Sequence, residues 1–148
     1  MRRTRLTLIA LALVVFLAIS ALLARIFSAD GAERTAVTSL IQAEARGDRA
    51  AMLSQLDGCT RNARCRAVVA YNAAVLRRPG AVSILQLTSS TGFSLGSTVG
   101  YARVAWNSGK SLPIVQCVHV RRAGNALSGI KIHLLAITQR LHSDADCP

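Results

Sequence analysis

An uncharged apolar segment near the N-terminus is the feature that most constrains this chain. Leu6–Ala24, with the sequence LTLIALALVVFLAISALLA, is nineteen residues long and has only Thr7 and Ser20 as polar side chains. As a helix that rises ~1.5 Å per residue, it roughly matches a hydrocarbon layer of ~30 Å. A helix is the single-segment structure that satisfies its own backbone in such a layer. We therefore expect this apolar segment to be a single transmembrane helix.

The flanking charges predict its orientation. Arg2, Arg3 and Arg5 precede the segment, and positive residues stay on the cytoplasmic side, so everything from about Arg25 onward is expected outside the cytoplasm. A cleaved signal peptide is the alternative, with 18–20 (Ala-Ile-Ser) as a loose match to a cleavage site. Both interpretations export the rest of the chain, which divides into an anchor, 1–28, and an exported domain, 29–148.

The exported part is basic in its own right. The first 28 residues hold four Arg and no acid (+4), and the other 120 hold fourteen Arg plus Lys against seven Asp plus Glu (+7), which together give the net charge of +11. Such a surface suits a polyanionic neighbour such as lipid head groups, or simply keeps the domain soluble. Nucleic acid is not expected as a partner, because no basic strand is interleaved with aromatic residues. The basic surface residues are predicted to be Arg61, Arg64, Arg66, Arg121 and Arg122, with a further pair at Arg77 and Arg78.

All four cysteines follow the apolar segment. An even number in an oxidising compartment predicts two disulfides, and three pairings are possible. We favour Cys59–Cys65, which closes a short loop, and Cys117–Cys147, which ties the C-terminal tail to a strand. No metal site and no cofactor are expected, because the cysteines lack C-x2-C spacing and the histidines form no ligand motif.

Hydrophobic periodicity predicts helices first and strands afterwards. Asp30 with Glu33 resembles a capping box that begins a helix, and Gly124 is placed in a turn between the last two strands. The predicted fold is α+β: an N-terminal transmembrane helix, then three helices packed on a curved, cone-like, four-stranded antiparallel sheet. The helices are predicted over 30–47, 49–56 and about 61–77, and the strands over 82–88, 97–106, 112–122 and 127–139.

An amphipathic helix that runs into Gly-Asp and a short Ala-rich helix, TAVTSLIQAEARGDRAAMLSQL, resembles the start of the nuclear transport factor 2-like superfamily, the cystatin-like cone fold. The resemblance covers about residues 30–140, although the Trp-Arg-Ile last strand of many members is missing. Together with the apolar segment, the chain is similar to single-pass scaffold subunits of type IV secretion machines and to membrane proteins associated with mammalian-cell-entry transporters. This resemblance implies an assembly role without chemistry.

The same fold also hosts isomerases, which need an inward acid, Tyr or His. No acidic residue occurs between Asp57 and Asp144, so the predicted sheet has no acid of its own. If the last hairpin is centred near Gly124, His119 and His133 are about 13 Å apart at ~3.3 Å per residue, too far to share a metal or a proton. That register places them opposite about Gly129 and Val115. The possible pocket-lining residues are Tyr71, Val75, Tyr101, Trp106 and His119.

Two non-enzymatic functions are therefore expected ahead of an isomerase-like enzyme. The first is an interaction or assembly module with a protein partner at the outer face of the cell membrane. The second is a carrier of a small apolar ligand or lipid. A carrier predicts an open aliphatic cavity of several hundred Å³, whereas an assembly module predicts a filled interior and an exposed apolar patch or unpaired strand edge.

Overall fold

The computed structural model describes residues 2–90, 97–125, 129–142 and 147–148. The described residues form three α-helices, a short 3-10 helix and one four-stranded sheet, which is the predicted α+β class. The helices are α1 (Arg2–Arg46), α2 (Arg49–Gln55), the 3-10 helix (Cys59–Arg61) and α3 (Ala63–Val75), and the strands are β1 (Val82–Thr88), β2 (Thr98–Ser108), β3 (Ile114–Asn125) and β4 (Gly129–Ile137).

The first helix is longer than predicted. α1 runs without interruption through the apolar segment and on to Arg46, so the prediction of a separate helix that begins at Asp30 is wrong. Gly31 alone does not end the helix, and Glu33 makes no capping contact because its carboxylate faces the sheet. The residues at 8–24 are all exposed, and burial against the domain begins at Ala29. This helix is long and apolar enough to cross a membrane, by length and composition.

The sheet is open and antiparallel, with the order β1-β2-β3-β4. α1 lies along the strands on one face. The Glu33 carboxylate accepts a hydrogen bond from the Ser90 amide, just after the end of β1, and the Ala45 carbonyl accepts one from the Arg78 amide, just before β1 begins. The apolar segment therefore leaves the domain at the end of the sheet where β1 and β3 finish. Among the described residues β1 and β4 do not pair, and the predicted cone-like shape is not confirmed.

The core fills the space between the helices and this face of the sheet. Apolar side chains that alternate along the strands meet the stripe of α1 that repeats every three to four residues. The largest buried ones have almost no accessible surface. The cluster includes Val37, Leu40, Ile41, Met52, Leu56, Val69, Val104, Trp106, Ile114 and Val118.

The register of the β3–β4 hairpin differs from the expected one. β3 continues past Gly124, which has a φ of 109° and lies so close to the Gly129 carbonyl that a Cβ would come within 2.2 Å of it. Because the strands pair beyond the expected turn, His119 lies opposite Ala136 and His133 lies opposite Arg121. The predicted partners, Gly129 and Val115, are wrong for this reason.

Two disulfides close the domain. Cys59 bonds to Cys65 between the 3-10 helix and α3, with Cα atoms 5.3 Å apart. Cys117 of β3 bonds to Cys147, with Cα atoms 5.7 Å apart. These bonds are compatible with the pairs favoured from spacing, and they are typical of an oxidising compartment outside the cytoplasm.

Candidate functional site

An open groove of about 600 Å³ lies where the start of α3 meets the end of β4. Tyr101 and His119, opposite each other on β2 and β3, form part of its wall with stacked rings whose centroids are 4.6 Å apart. Arg64 and Asn62 supply polar groups from the α3 side, and Val68 and Ile137 supply apolar ones. The groove can therefore offer both hydrogen-bond donors and a flat aromatic surface to a ligand.

The five predicted pocket-lining residues do not come together. Tyr101 and His119 line the groove, but Tyr71 and Val75 are 46% and 47% exposed on the outer side of α3. The helix buries Val69, Asn72 and Ala73 instead. The prediction failed because alanines occur on every side of this helix, so that the apolar pattern does not identify its inward face.

The fifth predicted residue, Trp106, belongs to the core. Its ring is fully buried, and its Nε1 donates a 2.8 Å hydrogen bond to Gln116 Oε1. The Gln116 amide Nε2 in turn donates to Glu44 Oε1 at 2.8 Å and to the Thr138 carbonyl at 3.1 Å. Because its ring is buried and its polar atom is hydrogen-bonded, Trp106 stabilises the core and does not line the groove.

Glu44 is a buried acid that the sequence analysis did not single out. It is fully inaccessible, and burial raises the pKa of its carboxyl from 4.5 to about 8, although the hydrogen bond from Gln116 lowers it in part. The group is therefore mostly neutral at pH 7. The sequence does contain a sign of this burial, because Glu44 lies four residues after Leu40 and therefore on the apolar face of α1. Glu44 lines neither of the two described hollows, so the geometry does not direct it at a ligand.

Arg122 does not belong to the basic surface. It is 3% exposed and its guanidinium contacts Asp30 at 2.5 Å and Glu33 at 2.7 Å, so that prediction is wrong. Burial lowers the pKa of the guanidinium, but the hydrogen bonds and charges of the two carboxylates outweigh this and raise it overall. Ser90 also donates to Glu33 through its amide and its hydroxyl. The cluster joins the first turns of α1 beyond the apolar segment to the sheet.

The other predicted basic residues are at the surface to different degrees. Arg61, Arg64 and Arg121 are exposed. Arg66 is half-buried and donates a 2.6 Å hydrogen bond to the Thr60 carbonyl. These arginines do not form one continuous patch with Arg122, because the Arg122 side chain is buried against α1.

Asp57 and His133 form a second contact absent from the sequence analysis. His133 Nδ1 lies 2.6 Å from Asp57 Oδ2, beside a hollow of about 400 Å³ that Ser39 and Gln55 also line. Both side chains are partly exposed, by 32% for the histidine and 51% for the aspartate. The contact joins the segment after α2 to β4. No group of three or more metal-ligating side chains occurs in the part of the chain that the structure describes.

The two edges of the sheet differ. On β4, the Asp57 amide donates a 2.7 Å hydrogen bond to the Leu134 carbonyl, and Leu56 forms a bridge with Leu134. On β1, within the described residues, no strand or bridge pairs with the outer edge. β1 has the sequence VSILQLT, without a charge or a proline. An edge strand of this kind is a ready template for another strand.

No protein-family model, no curated protein and no solved structure matches this chain. The site must therefore be interpreted from its own geometry.

Proposed function

We propose that this chain is a membrane-anchored, non-catalytic interaction module whose domain lies outside the cytoplasm. The outer edge of β1, with which no strand of the described residues pairs, is the observation that carries the proposal; we call it the free edge. It is uncharged, it ends near the point where the apolar segment leaves the domain, and its Val82, Ile84 and Leu87 pack against the core. Apart from the bulge between Ile84 and Gln86, β1 has none of the charged residues or prolines with which natural proteins block an unpartnered edge.

The apolar segment supports the location. Its apolar side chains are exposed on a 45-residue helix that continues into the domain. A long exposed apolar surface of this kind is unfavourable in water and suits a lipid bilayer. The disulfides support an oxidising compartment on the far side. The order of helices followed by four antiparallel strands also suits the resemblance to the nuclear transport factor 2-like superfamily and to the scaffold subunits of secretion machines. Membrane lipid around the anchor and a protein at the envelope are thus the proposed partners.

A carrier of a small ligand is the second candidate, and the groove of about 600 Å³ is the observation that favours it. Its wall mixes Arg64, His119 and Tyr101 with apolar side chains, so it suits an amphipathic ligand better than a purely aliphatic one. The expected carrier cavity is aliphatic, whereas polar side chains such as Asn62, Arg64 and Gln139 line this groove, and for this reason we place the carrier second.

Crosslinking in native membranes separates the two functions. Cells that produce the full chain with an affinity tag are treated with an amine- and guanidine-reactive crosslinker, the membranes are solubilised, and captured species are identified by mass spectrometry with a lipid analysis alongside. The interaction module predicts a heavier species that contains a second protein in defined stoichiometry. Recovery of the monomer alone with co-purified lipid would contradict it and support the carrier.

A further inference from the structure

The direction of α1 decides whether the free edge of β1 can pair with a second copy of this chain. α1 lies along the strands, since Glu33 meets Ser90 beyond one end of β1 and Ala45 meets Arg78 before the other. The helix rises about 18 Å between these contacts, at ~1.5 Å per residue. The apolar segment continues the same helix beyond the Glu33 end.

A symmetric β1–β1 dimer would place the two apolar segments on opposite sides. Two identical strands that pair antiparallel are related by a two-fold axis perpendicular to the sheet. This axis reverses every direction parallel to the plane of the sheet, and α1 runs along the strands, parallel to that plane. One copy would then send its apolar segment away from the membrane that holds the other. Under the proposed function, which places both segments in one bilayer, this dimer does not form.

A head-to-tail arrangement, in which β1 of one copy pairs with β4 of the next, keeps all the helices parallel. It requires a free outer edge on β4. That edge is occupied by Leu56 and Asp57, which pair with Leu134, and the Asp57 side chain also contacts His133. Continuation of the sheet from copy to copy is therefore blocked at the middle of β4.

We propose that β1 receives an extended segment of a different protein as a fifth strand of the sheet. This inference rests on the proposed function and names the partner's form: a heterologous strand held mainly by backbone hydrogen bonds. The symmetric antiparallel dimer and the head-to-tail arrangement both conflict with the geometry, whereas a strand from another chain conflicts with neither constraint.

The side chains of β1 predict the pattern of that segment. Val82, Ile84 and Leu87 are half-buried and pack against the core, while Ser83 and Thr88 are exposed. A neighbouring strand continues the same alternation, so the partner presents apolar residues on the helix side and polar residues on the other.

A bulge and a group of cations give the edge further selectivity. The register shifts between Ile84 and Gln86, so Leu85 is the extra residue, and its side chain is 54% exposed. A strand that pairs along the whole edge must accommodate this bulge. Arg77, five residues before β1, and Lys110, two residues after the partner of Val82, are both exposed, which favours an acidic residue at that end of the partner.

Site-specific photocrosslinking tests this inference. The full chain is produced in its own membranes with p-benzoylphenylalanine at position 86, and two differently tagged copies are produced together. We expect Gln86, which is exposed on β1, to crosslink a different polypeptide and not the second tagged copy. The crosslinked peptide should map to a segment of alternating apolar and polar residues.

Leu85→Lys is the blocking variant, because a lysine on an edge strand opposes pairing. Leu112→Lys makes the same change at a leucine that is 79% exposed in the turn after β2 and serves as the matched control. We expect Leu85→Lys to lower the crosslinking yield roughly tenfold, as for a residue at the centre of an interface, with no change for Leu112→Lys. Equal thermal unfolding of the two variants shows that the fold is retained.

The outcomes separate this inference from the proposed function. Crosslinks between the two tagged copies, or a yield that Leu85→Lys does not change, would overturn the fifth strand. A partner captured from a probe at Tyr71 but not from Gln86 would overturn it as well, while the interaction module would stand. If probes at positions 71, 86 and 112 all capture no protein, the proposed function fails together with the inference.

Discussion

At the residue scale, two buried charged or titratable groups determine how this domain responds to pH and substitution. Glu44 is mostly neutral at pH 7 because it is buried, whereas Arg122 is charged, as arginine is in any protein, and two carboxylates balance its buried charge. Their partners are far away in the chain: Gln116 is 72 residues from Glu44, and Arg122 is 89 residues from Glu33. Neither contact could be predicted from the sequence, because local patterns carry no information on pairs so distant.

Glu44→Gln should remove a pH dependence of stability. The folded state holds the proton of Glu44 up to about pH 8, and the unfolded state releases it near 4.5. The folded state thus binds more protons in this window, so the free energy of unfolding of the native chain falls as pH rises from about 4.5 to 8 and is level above. The fall is at most about 5 kcal/mol, at ~1.36 kcal/mol for each pH unit.

The measurement is urea unfolding of the full chain in detergent between pH 4 and pH 9. The amide of Glu44→Gln keeps an oxygen for Gln116 and does not ionise, so the variant should lack this fall and be the more stable protein at pH 8. Gln42→Glu, which adds an acid at an exposed neighbouring position, should leave the profile unchanged. A fall of equal size in the native chain and in Glu44→Gln would show that Glu44 is not its cause.

Arg122→Met should destabilise the domain far more than Arg121→Met. Removal of the buried guanidinium leaves the Glu33 carboxylate, which is 1% exposed, without its counter-ion, at a cost of about 3–5 kcal/mol. The adjacent Arg121 is exposed, and its loss should change the free energy of unfolding by less than about 0.5 kcal/mol. Chemical denaturation at pH 7 compares the two, and equal effects would contradict the buried cluster.

At the element scale, the long first helix is the main departure from the expectation. The four strands were predicted within a few residues because alternation and turn residues mark them, and α2 and α3 were predicted from apolar spacing. Asp30 and Gly31 are residue types that commonly begin a helix. In the structure the helix continues through them, and the side chains of Asp30 and Glu33 bind Arg122 instead of capping a helix. Tyr71 and Val75 were misplaced because α3 is rich in alanine on every side.

Two glycines test whether the helix is continuous through residue 31 and ends at Gly47. A Cβ at Gly31 would meet no atom within 4 Å, so Gly31→Ala should stabilise the domain by roughly 0.5–1 kcal/mol. Gly47 has a φ of 72°, and a Cβ there would lie 2.9 Å from the Ala73 carbonyl oxygen, so Gly47→Ala should destabilise it. Thermal unfolding gives both signs. Destabilisation by Gly31→Ala would indicate a break in α1 at this position.

At the scale of the whole molecule, the two disulfides tie segments on different elements of the domain together. The disulfide between Cys117 and Cys147 closes a loop with a sequence separation of 30, and the one between Cys59 and Cys65 has a separation of 6. Since the stabilisation grows with loop length, the first bond has the larger expected contribution.

The paired variant Cys117→Ser/Cys147→Ser should lower the free energy of unfolding by about 3–4 kcal/mol, and Cys59→Ser/Cys65→Ser by about 2 kcal/mol, in the chain-entropy account. Denaturation of the full chain in detergent measures both. The reverse order would show that contacts around Cys59, which is 1% exposed, outweigh the length of the loop.

The most direct test of the account is the mass of the native chain taken from the membrane. Cells are treated with iodoacetamide before lysis, the membrane pellet is extracted, and intact mass spectrometry is performed with and without prior reduction. The account predicts a membrane-bound chain that still carries Leu6–Ala24 and gains no carbamidomethyl group unless the disulfides are first reduced. A soluble chain that lacks this segment, or four alkylated cysteines without reduction, would contradict it.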